Sequence, residues 1–331
     1  MQQDQDVLIF GELLIRLSSV EDNFLSGGYQ AAIYPGGSEA NVTASLAKWK
    51  IPVTYITACP ENALSKSALD NLATRGADVS KSLLQGSRIG LYFLLSPNGL
   101  SSGEVVYDRK YSSFSKLMPG EIDWDNLMNG KRWFHWSALT PALNEDLAMV
   151  IEEALIAARK NGLTVSVDLN YRNRLWDYGK NPIEIMPKLA QYCDVIMGNI
   201  WAAEKMLGTE IDEHLGRHTS PEAYFEHSTR TAKAIFEAYP NCKHVANTFR
   251  FMDNPKHNLF YGAYHNQQGN FLSSILETNE VIDRIGSGDA FMAGLIYGLN
   301  TNADGQAIIE TATRAGYQKL FDRGDFGNGN F

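Results

Sequence analysis

The run "LTVSVDLN", residues 163–170, sets the class of the chain. It is short and β-rich. A helical run from Asn144 to Asn161 leads into it, and another β-rich run, Asp194–Asn199, follows. From about residue 130 onward, strand-like and helix-like runs alternate, which favours a largely parallel sheet covered by helices. Working outward, strand candidates are Val7–Glu12, Val53–Cys59, Ile89–Leu95, Val105–Arg109, Trp133–Ala138, His244–Thr248 and Leu259–His265. Further helix candidates are Ser38–Trp49, Asn62–Arg75, Pro221–Tyr239, Gly288–Leu299 and Asp304–Phe321. The rhythm breaks near residues 12–35 and 88–115, where strand-like runs follow one another without helices. Those two segments read as a small sheet that projects as a lid. With no repeat and no long linker, residues 1–331 read as one domain with a lid.

Composition narrows the function classes. With 331 residues, 44% hydrophobic and 20% charged, the chain can bury a sizeable core. A net charge of −9 argues against a general binder of nucleic acid or anionic membrane. Cys59, Cys193 and Cys242 are few and far apart, so neither a disulfide framework nor a CxxC metal site is visible, and a reducing cytoplasm fits. The start, "MQQDQDVLIF", is acidic and polar, unlike a signal peptide, and no apolar run approaches membrane-spanning length.

The chemistry begins at "DRIGSGDAF", 283–291. Main-chain N–H groups of a glycine-rich turn can point to one side and hold an anion, and a following helix adds its positive dipole end. Gly286, Ser287 and Gly288 can thus cradle a phosphate, while Asp289 can take the proton of an attacking hydroxyl. A plain helix start capped by Gly and Asp is the other reading of these residues. No GxxxxGK[ST] occurs, residue 285 is Ile where a nucleophile elbow needs Gly, and residue 291 is Phe where GxGxxG needs Gly. A second stretch, "YPGGSEANVTASLAKW" (34–49), pairs Gly36-Gly37 with Asn41, whose amide can serve a polyol as donor and acceptor. A capped surface helix beginning at Ser38 explains that stretch equally well.

Together these stretches resemble the ribokinase-like sugar kinases of the phosphofructokinase B family. Its members pair GG-x-x-x-N with D-x-x-G-[AGS]-G-D, which are Gly36-Gly37…Asn41 and Asp283…Gly286-Ser287-Gly288-Asp289 in this chain. "RIGLYFL" (88–94), "VVYDRKYSSFS" (105–115), "SVDLNYRNRLW" (166–176) and "RGDFGNG" (323–329) are similar to the 2-keto-3-deoxygluconate kinases among them. The resemblance implies a ribokinase-like three-layer αβα fold with a mostly parallel central sheet and a small β-sheet lid. It implies ATP-dependent phosphorylation, with Mg²⁺, of a sugar acid's terminal hydroxyl. Asp289 would be the base, and the backbone of Gly286, Ser287 and Gly288 the anion hole. Gly37 and Asn41 would hold the sugar, with Tyr92, Tyr107 and Arg109 reaching it from the lid and Arg172 from a strand end. Asn170 and Arg172 would also meet nucleotide phosphates, and Asn199 and Thr248 lie on the ATP side. Asp325 would approach substrate hydroxyls, or belong to a glycine-capped loop.

The arginines carry an independent argument: a sugar acid offers guanidinium a planar carboxylate, which a neutral sugar lacks. Pairing of Arg109 with Asp108 or another surface acid is the alternative, and for Tyr92 and Tyr107 it is strand packing. Two departures stand out. The family's N-x-x-E would put Glu at residue 202, which is Ala, with Glu204 two residues on. The glycines of T-x-G-x-x-G are missing from "ANTFRFMDNPKHN" (246–258). A kinase of a neutral sugar such as fructose and a non-catalytic sugar-binding regulator therefore stay open as readings. His214 and His218 read as a solvated loop, His135 as a core histidine, and Trp133, Phe134 and Trp136 as packing. An exposed lid sheet also suggests a homodimer.

Overall fold

The computed structural model describes residues 6–20, 30–96 and 105–331. The first five residues of the N-terminal reading, and residues 21–29 and 97–104 of the two lid segments, lie outside the described residues. Strand β1 (Val7–Phe10) sits inside a nine-stranded sheet, paired in parallel with β4 (Val53–Ile56) and β9 (Trp133–Ser137). Beyond β9 the parallel run continues through β10 (Thr164–Asp168), β11 (Val195–Met197) and β12 (His244–Phe251). Then β13 (Asn258–Asn266) turns back antiparallel and carries β14 (Gly269–Leu272) and β15 (Leu276–Thr278).

Alternation along the strands dictates two cores. Leu8 and Phe10 of β1 face one layer, with α3 (Trp124–Met128), α4 (Glu145–Lys160), α5 (Pro182–Ala190), α6 (Ile200–Leu207) and part of α7 (Pro221–Ala238). Val7 and Ile9 face the other, with α1 (Ser38–Lys48), α2 (Ala63–Arg75), α8 (Ser287–Asn300) and α9 (Gly305–Gln318). Residues on opposite sides of a pleat must each find an apolar partner, so a strand buried on both faces needs helices on both. Side-chain oxygens start many of these helices: Asn62, Asn144, Asn199, Ser220 and Asp304 each accept a main-chain N–H of the first turn.

A separate four-stranded sheet has the order β3 (Ala31–Gly36), β2 (Leu14–Ser19), β7 (Gly90–Leu94) and β8 (Val105–Asp108). A two-stranded parallel ladder, β5 (Ala58–Cys59) with β6 (Leu83–Leu84), completes the described sheets. Three expectations are corrected. The strand expected at Val7–Glu12 stops at Phe10, and Leu14–Ser19 leaves for the small sheet. The alternating rhythm ends at β12, which runs to Phe251 into a long hairpin. Helices α5 and α6 are additional: Pro187 inside α5 looks like a breaker, and α6 has only 8 residues. Cys59, Cys193 and Cys242 are buried free thiols. Among the described residues no helix is long and apolar enough to cross a membrane.

Candidate active site

A cavity of about 450 Å³ lies where the carboxyl ends of β10 and β11, the start of α1, the glycine turn before α8 and the small sheet converge. Strand ends in an open α/β sheet leave such a crevice because the connections diverge there. Asp289 stands in the first turn of α8 and is nearly buried. Ser38 Oγ donates to its Oδ1 at 2.6 Å, and Asn41 Nδ2 donates to its Oδ2 at 2.6 Å. Asn170 Nδ2 donates in turn to Ser38 Oγ at 3.0 Å. Burial raises the Asp289 pKa, while these two hydrogen bonds and the charge of Arg172 pull it back. The carboxylate is thus oriented but kept basic.

Further acids crowd the same end of the sheet. Asp168 closes β10, and burial together with the Asp289 charge pushes its carboxyl up to about 8. Its Oδ1 accepts the Asn170 N–H at 2.9 Å. Glu39 is pushed up to about 7, chiefly by burial, although Ser137 donates to its Oε1 through both N–H and Oγ.

The glycine turn is shaped for close approach. Gly286 has φ +83°, and a Cβ there would lie 2.4 Å from the Asp325 carbonyl oxygen, so only glycine fits. At Gly288 a Cβ would meet no described atom within 4 Å, so this position opens on the cavity. One expectation needs correction: Ser287 N–H reaches the Arg284 carbonyl at 3.3 Å, so that amide is not an unengaged donor.

On the lid side, strand register sets Tyr34, Arg16, Tyr92 and Tyr107 in one cross-strand row. Arg16 lies under the Tyr34 ring at 4.4 Å and donates to both oxygens of Asp283, at 2.6 and 3.3 Å. Its Nε is 3.1 Å from Asp325 Oδ1, and Tyr92 donates its hydroxyl to Asp325 Oδ2. Tyr92 and Asp325, both expected to meet the sugar, thus bond each other within the cavity wall. Burial lifts Asp325 to about 6, with Arg16 acting against it. Arg109, expected to meet a ligand carboxylate or a surface acid, donates its Nε to buried Glu12 at 2.5 Å. Asp108 takes Arg88 instead, at 2.6 Å.

The cavity is lined by Gly37, Asn41, Tyr92, Tyr107, Arg109, Asn170, Arg172, Asn199, Thr248, Gly286, Ser287, Gly288, Asp289 and Asp325, which brings together the residues singled out in the sequence. Asn199 spends its side-chain oxygen capping α6, accepting Ala202 N–H at 2.7 Å. Glu204 faces Lys205 at 3.2 Å and does not line the cavity. Sequence reasoning passed over Glu12, Arg16, Ser38, Asp168 and Arg250. For Arg250 a signal existed: period-2 alternation puts it on the same face as Thr248. Outside the cavity, His135 is fully buried with its Nδ1 on Ser166 Oγ, and His214 and His218 lie in a loop.

Among the described residues no group of three His, Cys, Asp or Glu side chains is placed to hold a metal alone. Mg²⁺ in general keeps waters and phosphate oxygens and asks for one or two protein carboxylates. Asp168 lines the cavity beside Asp289, so a carboxylate is present there that would hold such an ion.

Comparisons with known proteins place this fold among carbohydrate kinases. The crystal structure of 2-dehydro-3-deoxygluconokinase from Thermotoga maritima superposes with a TM-score of 0.87 and 34% identity, over 97% of this chain and 94% of that one. A 2-dehydro-3-deoxygalactonokinase of Haloferax volcanii is 28% identical over 171 residues, 52% of this chain and only about half, 54%, of that relative's length. A 5-dehydro-2-deoxygluconokinase of Geobacillus thermodenitrificans is 24% identical over 304 residues, 90% of this chain and 82% of the relative. The pfkB family of carbohydrate kinases matches residues 4–325, and the chain, with its ribokinase-like α/β fold, belongs to that family.

Proposed function

We propose that this carbohydrate kinase phosphorylates the terminal hydroxyl of a sugar acid, 2-keto-3-deoxygluconate first among them, using ATP and Mg²⁺. One observation carries the reading: a buried, doubly hydrogen-bonded carboxylate, Asp289, stands at the mouth of a glycine turn that opens a helix. The sugar oxygen bonds to the γ-phosphorus as the bond to the bridging oxygen breaks. Asp289 takes the hydroxyl proton, and the electron pair leaves with ADP. Transfer of this kind needs little covalent help, so positioning and charge stabilisation carry it. Mg²⁺, when bound, would offset phosphate charge, and Asp168 would be the protein carboxylate that holds it. Closure of the small sheet over the sugar would exclude water and limit ATP hydrolysis.

The sugar-acid preference is supported by Arg172, exposed at the cavity, and by the names of the relatives above. Arg172→Ala is expected to raise KM for sugar acids about tenfold or more, because a charge-assisted hydrogen bond is lost. Unchanged KM in steady-state assays would remove Arg172 from substrate recognition. A neutral hexose is the second reading, favoured by one fact: Glu12 already balances the charge of Arg109. A panel of sugars and sugar acids, scored for ADP release, decides between them; ligand binding without ADP would indicate a regulator.

The pKa of Asp289 sets the acid limb of the rate. The base must be ionised, and burial raises its pKa, so kcat should fall with decreasing pH starting above the ordinary carboxylate range. A kcat constant from pH 8 down to 4 would contradict the assignment.

The reading also includes a homodimer in the reducing cytoplasm, as the buried free thiols suit. On the face of the small sheet away from the tyrosine row, Ile33, Leu17, Phe93 and Val106 align across four strands. Ile33 is 62% exposed and Val106 40%, an apolar row that a second copy would cover. Ile33→Glu should shift sedimentation toward monomer; a wild-type protein that sediments as a monomer at micromolar concentration ends this part of the reading.

A further inference from the structure

We propose that Arg250 is a donor-phosphate residue, a guanidinium held at the cavity wall by β12 and aimed at the polyphosphate that the glycine turn receives. This rests on the kinase reading above and goes past it in one respect: it gives the nucleotide side a cation at a place where the sequence lacks the expected glycines.

Strand alternation sets up the placement. On one face of β12, Asn247 and Phe249 are buried, with Asn247 donating to the Gly198 carbonyl at 2.8 Å. On the other, Thr248, Arg250 and the following Met252 line the cavity. Arg250 keeps solvent access there, so it is open to a ligand. Its Nη1 donates to Ser287 Oγ at 3.0 Å, which fixes the guanidinium beside Gly286 and Gly288. A cation held next to main-chain donors of a helix start is a place where phosphate charge is met from several sides.

Charge balance points the same way. Among the described residues Arg250 has no carboxylate partner, and the charged neighbours acting on it are Arg172 and Arg284. Partial burial and those two like charges pull its pKa down, and it stays cationic at neutral pH. Arg172, Arg250 and Arg284 all line the cavity, and a polyanion bound there relieves the repulsion of like charges. On this side Glu204 pairs with Lys205 and does not line the cavity, so it does not stand in for the glutamate of N-x-x-E. Guanidinium charge then neutralises phosphate on the side that Glu204 does not reach. When the terminal phosphoryl bonds to the sugar oxygen and the bridging bond breaks, the charge left on the diphosphate lies within reach of the same cation.

The test uses the whole chain with inorganic tripolyphosphate as probe, by calorimetry, beside ATP kinetics. Arg250→Gln keeps a donor for Ser287 but removes the charge; Arg250→Lys keeps the charge. The expected result is tripolyphosphate binding weakened about tenfold or more in the Gln variant, with the Lys variant between it and wild type. KM for ATP should rise in the same order, with KM for the sugar little changed. A Gln variant that binds like wild type would mean that Arg250 only props Ser287, and overturns the proposal. A Lys variant as weak as Gln, or a wild-type protein that does not bind tripolyphosphate, overturns it too. Failure of the kinase reading shows separately, as no ADP release with any sugar in wild type, and the calorimetry still reads Arg250.

Discussion

Replacing Asp289 by Asn should lower kcat about a thousandfold while KM for the sugar moves by less than about threefold, since a positioned general base contributes roughly 10²–10⁴ to rate. The fold around the position should survive the change. An amide can turn its oxygen to Asn41 Nδ2 and its NH₂ to Ser38 Oγ, and the hydroxyl can rotate to accept. The shape of the pocket is kept and only the proton acceptor is lost. Steady-state kinetics and sugar binding measured on the same preparation separate the two effects. Near-normal turnover would place the base elsewhere, with Asp168 the next acid in the cavity.

The chemistry of this site was legible in the sequence to the extent that it is local. Gly286, Ser287, Gly288 and Asp289 are adjacent, and their meaning depends on one helix start. Asn41 also lines the cavity, but its amide holds Asp289, a contact 248 residues away that no spacing reveals. Arg109 shows the same limit more sharply. Charge and motif pointed it at a ligand, whereas its partner Glu12 comes from the other end of the lid, 97 residues earlier. Local patterns report which face of an element a residue occupies; they carry no information about which other element meets that face. The large sheet was readable for the same reason that the partners were not. Apolar strand-helix alternation imposes parallel pairing from β9 to β12. Both strands of the β12–β13 hairpin were readable but their antiparallel pairing broke the expected rhythm, and α5 stayed hidden behind its internal proline.

Asp283 opens the D-x-x-G-x-G-D string, and its position explains why an acid stands three residues before the glycine turn. It is fully buried and collects four donors: both terminal nitrogens of Arg16, the Ile285 N–H and the Gly324 N–H. One carboxylate thereby ties the lid strand β2, the glycine turn and the C-terminal segment into a single unit. Asp283→Ala leaves the Arg16 guanidinium in the interior with Asp325, at 3.1 Å, as its one remaining carboxylate among the described residues, and leaves two main-chain donors without their acceptor. Breaking one side of a buried ion pair costs about 3–5 kcal/mol, a large share of the roughly 5–15 kcal/mol that holds a domain folded. Denaturant unfolding of the variant should show that loss. Adding Arg16→Met should recover part of it, because the second change removes the stranded charge. Freed loops should also let the anion turn drift, so kcat should fall even where the protein is folded. A loss below about 1 kcal/mol, the size of a neutral hydrogen bond, would mean that solvent or Asp325 satisfies Arg16 alone, and that the lid is not anchored to the catalytic turn through this acid.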